Sequence, residues 1–171
     1  SVLLIARYEN QKLVAEQSEY DLDEQIRSCA LRMEALWSAK DITFEMDLPK
    51  LPYTNNVEMM EHVWMNLISN AIKFSHEDSI IYIQTSIRYE KIFISVKDTG
   101  IGIPPEEREK VFERFYRVDK ARSREAGGTG LGLSIVRDTV LQAGGSIRLT
   151  EGSAGGACFQ VTLPLAQEDV T

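Results

Sequence analysis

The sequence predicts a layered α/β sandwich in which a mixed, partly antiparallel sheet of about five strands packs on about three helices. Three observations carry that expectation. Five short runs, "ITFEMDLP", "SIIYIQTSIR", "KIFISVKD", "SIRLT" and "CFQVTLP", have the length and composition of strands. Three longer segments place apolar residues at helical spacing. The two kinds of element are mixed without strict strand–helix–strand alternation, which argues against a wholly parallel sheet.

Taken in order, residues 1 to about 15 put Leu3, Leu4, Tyr8 and the more distant Leu13 near one helical face with no N-cap before them, which predicts a helix begun further upstream. Asp21 is placed to cap the next helix. Asp23 and Glu24 sit in its first turn, and Ile26, Ala30, Met33 and Trp37 recur at its period. Ile42, Phe44 and Met46 alternate along a strand that Pro49 stops. Asn56 caps a helix over about residues 57–74, whose apolar stripe is Met60, Val63, Trp64, Leu67, Ile68 and Ala71. The next two strands are close enough for a hairpin. "IPPEEREKVFERFYRVD" reads as a short helix opened by Pro104 and Pro105. A glycine-rich loop, a helix over about residues 131–142 closed by Gly144 and Gly145, and two strands complete the chain.

A chain of 171 residues is long enough for one domain with a buried core. Its formal charge of -7 argues against a general nucleic-acid binder, which needs a basic field to displace counterions. The two cysteines, Cys29 and Cys158, have no metal-ligand or redox spacing and read as reduced core residues. No apolar run approaches the length that spans a bilayer.

Against this background four stretches stand out. His62, Asn66, Asn70 and Lys73 share the polar side of the second long helix. A solvated face is the ordinary reading, yet asparagine is a middling helix former and its carbonyl oxygen suits a hard cation held with phosphates. "DTGIG" ends a strand with a carboxylate, Asp98, in a backbone that Gly100 and Gly102 allow to bend. It is either a turn or an acceptor site for an amine. "GGTGLGLS" lacks the lysine of a P-loop and the third glycine of a dinucleotide fingerprint. It remains either a plain loop or a glycine-rich entry to a helix N-terminus that favours an anion. Just before it, Arg117, Lys120, Arg122 and Arg124 form a basic patch, read either as a solvated loop or as a mobile lid over residues 117–128.

Together, "NLISNAIKF", "DTGIG", "VFERFYR" and "GGTGLGLSI" resemble, in order and interval, the N, G1, F and G2 boxes of sensor histidine kinases. The likeness covers nearly the whole chain. It implies the Bergerat ATP-binding sandwich, shared with type II topoisomerases, the ninety-kilodalton heat-shock chaperones and mismatch-repair ATPases. Residues 1–16 would then be the end of a dimerisation helix, 17–166 the ATP-binding catalytic domain and 167–171 a tail. By the same resemblance, Asn70 would hold magnesium, Asn66 would assist, and Lys73 would reach the phosphates of ATP. Asp98 would accept from the adenine amine, with Gly100 and Gly102 letting the backbone pass the base. Phe112, Phe115 and Tyr116 would pack the base of the lid and Arg117 would steady the transferring phosphate. Gly128, Thr129, Gly130, Leu131 and Gly132 would line the triphosphate.

Departures from the family pattern refine this reading. Where hydrolysing relatives place a glutamate that activates water, this chain has Asn66, and a neutral amide is a poor general base. Phe74 stands where tyrosine is common and His62 where glutamine or arginine is common. Neither His62 nor His76 has the family's acceptor context. The resemblance therefore implies a kinase domain that acts on a phospho-acceptor domain outside this chain and passes the phosphoryl group to a response regulator. It further implies a homodimeric full-length protein, cytoplasmic at this end and anchored to a membrane, with no nucleic-acid partner. An ATP-hydrolysing relative and a nucleotide-binding module without chemistry are the alternatives.

Overall fold

A computed structural model describes residues 16–116 and 132–165. Strands β1 (Ser18–Asp21) and β3 (Pro52–Asn55) pair antiparallel in a small sheet of their own. Strands β2 (Thr43–Asp47), β4 (Ile80–Arg88), β5 (Lys91–Lys97), β6 (Ser146–Glu151) and β7 (Ala157–Pro164) form the main sheet in the order β2-β4-β5-β7-β6. Only the β2–β4 pair is parallel. Helices α1 (Leu22–Leu31), α2 (Glu34–Ala39), α3 (Val57–Phe74) and α4 (Gly132–Gln142) complete the sandwich, with α1 and α4 both packed on α3.

The expected mixed sheet of five strands is therefore present, and its alternation explains which face is covered. Ile81 and Ile83 of β4 and Ile92, Ile94 and Val96 of β5 are buried, while the residues between them are more open. All six stripe residues of α3, from Met60 to Ala71, are at most 2% exposed. Burying a side chain of this size stabilises a fold by about 1.5–3 kcal/mol, so this stripe is what holds α3 to the sheet. Its polar side is left over for other work.

Several local expectations are corrected. The helical period from Ile26 to Trp37 is interrupted at Met33, where φ is -107° and ψ 18°. The break lets the Trp37 indole donate to the Ala30 carbonyl at 2.8 Å and meet Phe44 edge-on at 5.4 Å. Asp21 does precede α1 in an extended conformation, but its side chain makes no capping bond. Asp23 carries the polar work instead, with Oδ1 accepting from Leu51 N–H at 3.0 Å and Oδ2 from Arg27 at 3.0 Å. Burial pushes the Asp23 pKa upward, but these bonds outweigh it and hold the carboxyl below its usual range. The short helix expected after Pro104 is two 3₁₀ turns, Pro105–Glu107 and Lys110–Phe112. Here packing of Phe112 on Phe159 overrides the sequence period. The helix expected over residues 1 to about 15 lies outside the described residues.

Asn56 caps α3 as expected, its side-chain oxygen accepting from Met59 N–H at 2.9 Å. Its Nδ2 also donates to the Glu16 carbonyl at 2.8 Å, fastening the incoming chain to the helix. Asn56→Ala removes both contacts and is expected to cost about 1–2 kcal/mol. A lower urea midpoint at constant slope would show this. An unchanged midpoint would mean that water caps the helix equally well.

Candidate functional site

The polar side of α3 runs from His62 to Lys73, and the structure shows what borders it. Asn66 is half-buried, and its Nδ2 donates to the His62 carbonyl one turn back at 2.7 Å. That bond fixes which way the amide faces. Its oxygen lies where a Cβ added at Gly132 would come within 2.7 Å, so a larger residue there would push the Asn66 amide out of its present position. Asn70 is half-buried, and its side chain makes no hydrogen bond among the described residues. Lys73 is exposed in the last turn and His62 is exposed further back.

At the other end of α3 lies the turn after β5. Asp98 is 3% exposed, and its Oδ1 accepts from Gly100 N–H at 2.9 Å and Ala157 N–H at 3.1 Å. Both bonds fall on one oxygen. Burial raises the Asp98 pKa, while the two amides and the nearby His76 pull against that rise. Gly100 abuts the C-terminus of α3, where a Cβ would stand 1.9 Å from the Phe74 carbonyl oxygen. Ile101 N–H donates to that same carbonyl at 3.3 Å. Asn66, beside Gly132, and Phe74, beside Gly100, are eight residues or about 12 Å apart along the helix.

Sequence reasoning missed the other wall of this turn. Between β6 and β7, "GSAGG" brings Gly156 so near that a Cβ would lie 2.1 Å from the Asp98 carbonyl oxygen. Gly152 approaches the same oxygen, at 2.7 Å for an added Cβ. Asp98 N–H also donates to the Ala157 carbonyl at 2.9 Å. The available signal was three glycines within five residues between two strands, which reads as an ordinary turn until Asp98 is placed beside it.

Of the three aromatics expected at the lid base, Phe112 is buried edge-on against Phe159 at 6.2 Å, beneath the Arg137 guanidinium at 5.4 Å. Tyr116 packs partly on the core and its hydroxyl donates to Glu107, which pushes its pKa up to about 12. Phe115 stands apart from these two. It is 71% exposed with φ +64°. Arg117, Gly128, Thr129, Gly130 and Leu131 lie outside the described residues.

The sheet order, the helix layer and the placing of these motifs define the class: a two-layer ATP-binding sandwich of the Bergerat type. Residues 55–167 match the family described as histidine kinase-, DNA gyrase B- and HSP90-like ATPase. The chain belongs to that family. It is 35% identical over 161 residues to the sensor-like histidine kinase SenX3 of Mycobacterium tuberculosis, covering 94% of this chain and 39% of that protein. It is 41% identical over 131 residues to the sensor protein kinase WalK of Staphylococcus aureus, covering 74% and 32%. Less than half of each relative's length is thus represented. Among solved structures, the catalytic domain of the histidine kinase ThkA superposes with a TM-score of 0.76 at 32% identity, covering 87% of this chain and 95% of that one. ThkA in complex with the response regulator TrrA matches with a TM-score of 0.74 at 29% identity, covering 90% and 43%.

The raised Asp98 pKa has a testable sign. The folded chain keeps this proton at a pH where the unfolded chain has released it. Its contribution to stability is full below the usual carboxylate range, about pH 4, and is lost as pH rises through the folded value. Asp98→Asn keeps an acceptor for both amides and removes the charge. Denaturation from about pH 4 to pH 8 is expected to show the variant gaining stability on the parent as pH rises. A difference flat with pH would show that burial does not perturb Asp98.

Proposed function

We propose that this chain is the ATP-binding catalytic domain of a sensor histidine kinase, transferring the γ-phosphoryl group of magnesium-ATP to a histidine on a dimerisation domain outside the chain. The observation that carries the proposal is the joining of two half-sites along α3. A buried carboxylate turn abuts its C-terminus, and a glycine-started helix abuts Asn66. Family membership and the named relatives support the kinase reading over nucleotide binding without chemistry.

The residues present fit a magnesium nucleotide. Asp98 Oδ1 is occupied by two amides, which leaves Oδ2 to accept from an adenine amine. The absence of a Cβ at Gly132 gives room beside Asn66 for phosphates at the start of α4, where helix amides favour an anion. Asn70 would supply a carbonyl oxygen to magnesium, whose other ligands come from phosphate and water. Lys73, in the last turn of α3, would add positive charge. Magnesium-ATP supplies the transferable phosphoryl group and an ion that neutralises charge developing on it. The protein's share is position. Asn66 carries no acidic group and ties its amide to His62, so it holds the floor of the site without activating water for hydrolysis. Arg117 and residues 128–131 are proposed to complete the phosphate end. Relay to a response regulator, a homodimeric whole protein and a membrane anchor belong to the same proposal. Among the described residues no helix is long and apolar enough to cross a membrane.

Calorimetry is expected to show ATP binding about ten- to hundredfold more tightly than GTP, because guanine sets a carbonyl against Asp98 where adenine offers an amine. Equal affinities would contradict the assignment of Asp98. Asn70→Asp is expected to weaken magnesium-ATP binding, since an added negative charge beside the phosphates repels them in a chain already at -7. Unchanged magnesium-dependent affinity would make Asn70 a plain surface residue.

A further inference from the structure

A helix ends with carbonyls that have no intrahelical donor, and each needs a partner. At the end of α3 the partners come from two distant places. Lys40, in the connection after α2, donates from Nζ to the carbonyls of Ile72 at 2.8 Å, Lys73 at 3.1 Å and Ser75 at 3.1 Å. An ammonium has three protons to donate, and here three carbonyls converge on it. Its charge also suits the negative end of the helix dipole. The Asp78 N–H donates back to the Lys40 carbonyl at 2.9 Å, anchoring the lysine's own backbone to the segment after α3. The carbonyl left over in this set, that of Phe74, is the one that receives Ile101 N–H and faces Gly100.

We propose that Lys40 is a positioning residue for the base-recognising half of the site, holding the carbonyls on both sides of Phe74 so that the turn bearing Asp98 keeps its register against α3. The inference rests on the nucleotide reading given above. Lys40 touches no ligand in this account. It acts through the backbone: the carbonyls of Lys73 and Ser75 fix the plane of the Phe74 peptide, Phe74 seats Gly100 and Ile101, and Gly100 N–H aims Asp98 Oδ1. Removing the ammonium frees the last turn of α3 to fray, and the carboxylate loses its bearing on the purine. At the phosphate end Asn66 and Gly132, about 12 Å away along the helix, keep their own support, and whatever Lys73 in the frayed turn loses falls equally on ATP and GTP.

This locates the expected defect in selectivity, a quantity that general loosening of the fold does not move. ATP and GTP are titrated by calorimetry into the 171-residue chain and its Lys40→Met variant at matched folded fraction. The variant is expected to lose about tenfold more in ATP affinity than in GTP affinity, so that the preference for adenine shrinks by that factor. If the parent prefers ATP and Lys40→Met keeps the same ratio, Lys40 is a structural cap only and the inference fails alone. If the parent shows no preference, the assignment of Asp98 fails and takes this inference with it. Should Lys40→Met not fold, Lys40→Gln, with two amide protons on a shorter stem, is judged by the same ratio.

Discussion

One close approach organises the molecule: the carbonyl of Phe74, at the end of α3, against the backbone of Gly100. No side chain fits there, since a Cβ would lie 1.9 Å from the oxygen. The contact therefore requires glycine and in return fixes the turn after β5 relative to the long helix. Everything proposed for the site depends on it. Without that seat the carboxylate at the foot of β5 and the polar row on α3 would be two unrelated features.

Asp98 shows what such a seat is used for. A carboxylate that is 3% exposed costs the fold, and its pKa rises accordingly. Two backbone amides and a wall of glycines from the β6–β7 connection offset part of that cost. The remainder is the kind of local expense that marks a binding group more often than a packing one. Asp23 is the contrast. It is equally buried, yet its bonds to Leu51 and Arg27 bring its pKa down, and it serves only to tie α1 to the chain leading into β3.

How much of this was legible follows from the range of each interaction. The stripe of α3, the cap at Asn56 and the five strands of the main sheet are local patterns, and the sequence carries them openly. The pairing of β1 with β3 was not legible, because strands of four residues offer no alternation and the partners are more than thirty positions apart. The break at Met33 and the 3₁₀ turns around Phe112 arise from contacts with Phe44 and Phe159, which no local period announces. Within the site, Asn66, Asn70 and Asp98 were visible as motifs. Their supports, Gly152, Gly156 and Lys40, were not, since each acts on a segment far along the chain. Phe115, in the same short motif as Phe112, has a positive φ and stands exposed, which the motif alone does not announce.

The central claim is that the chain donates phosphate to a histidine it does not contain. Neither histidine present is suited to accept it: His62 is rooted in the helix that floors the proposed site, and His76 lies just beyond that helix's end. The most direct measurement incubates the chain with labelled ATP and magnesium, alone and with a dimerisation domain carrying the acceptor, and follows acid-labile label. The account expects label on the acceptor domain and none on the chain alone. Label on the chain alone that disappears in His62→Ala, or label on neither protein, would contradict it.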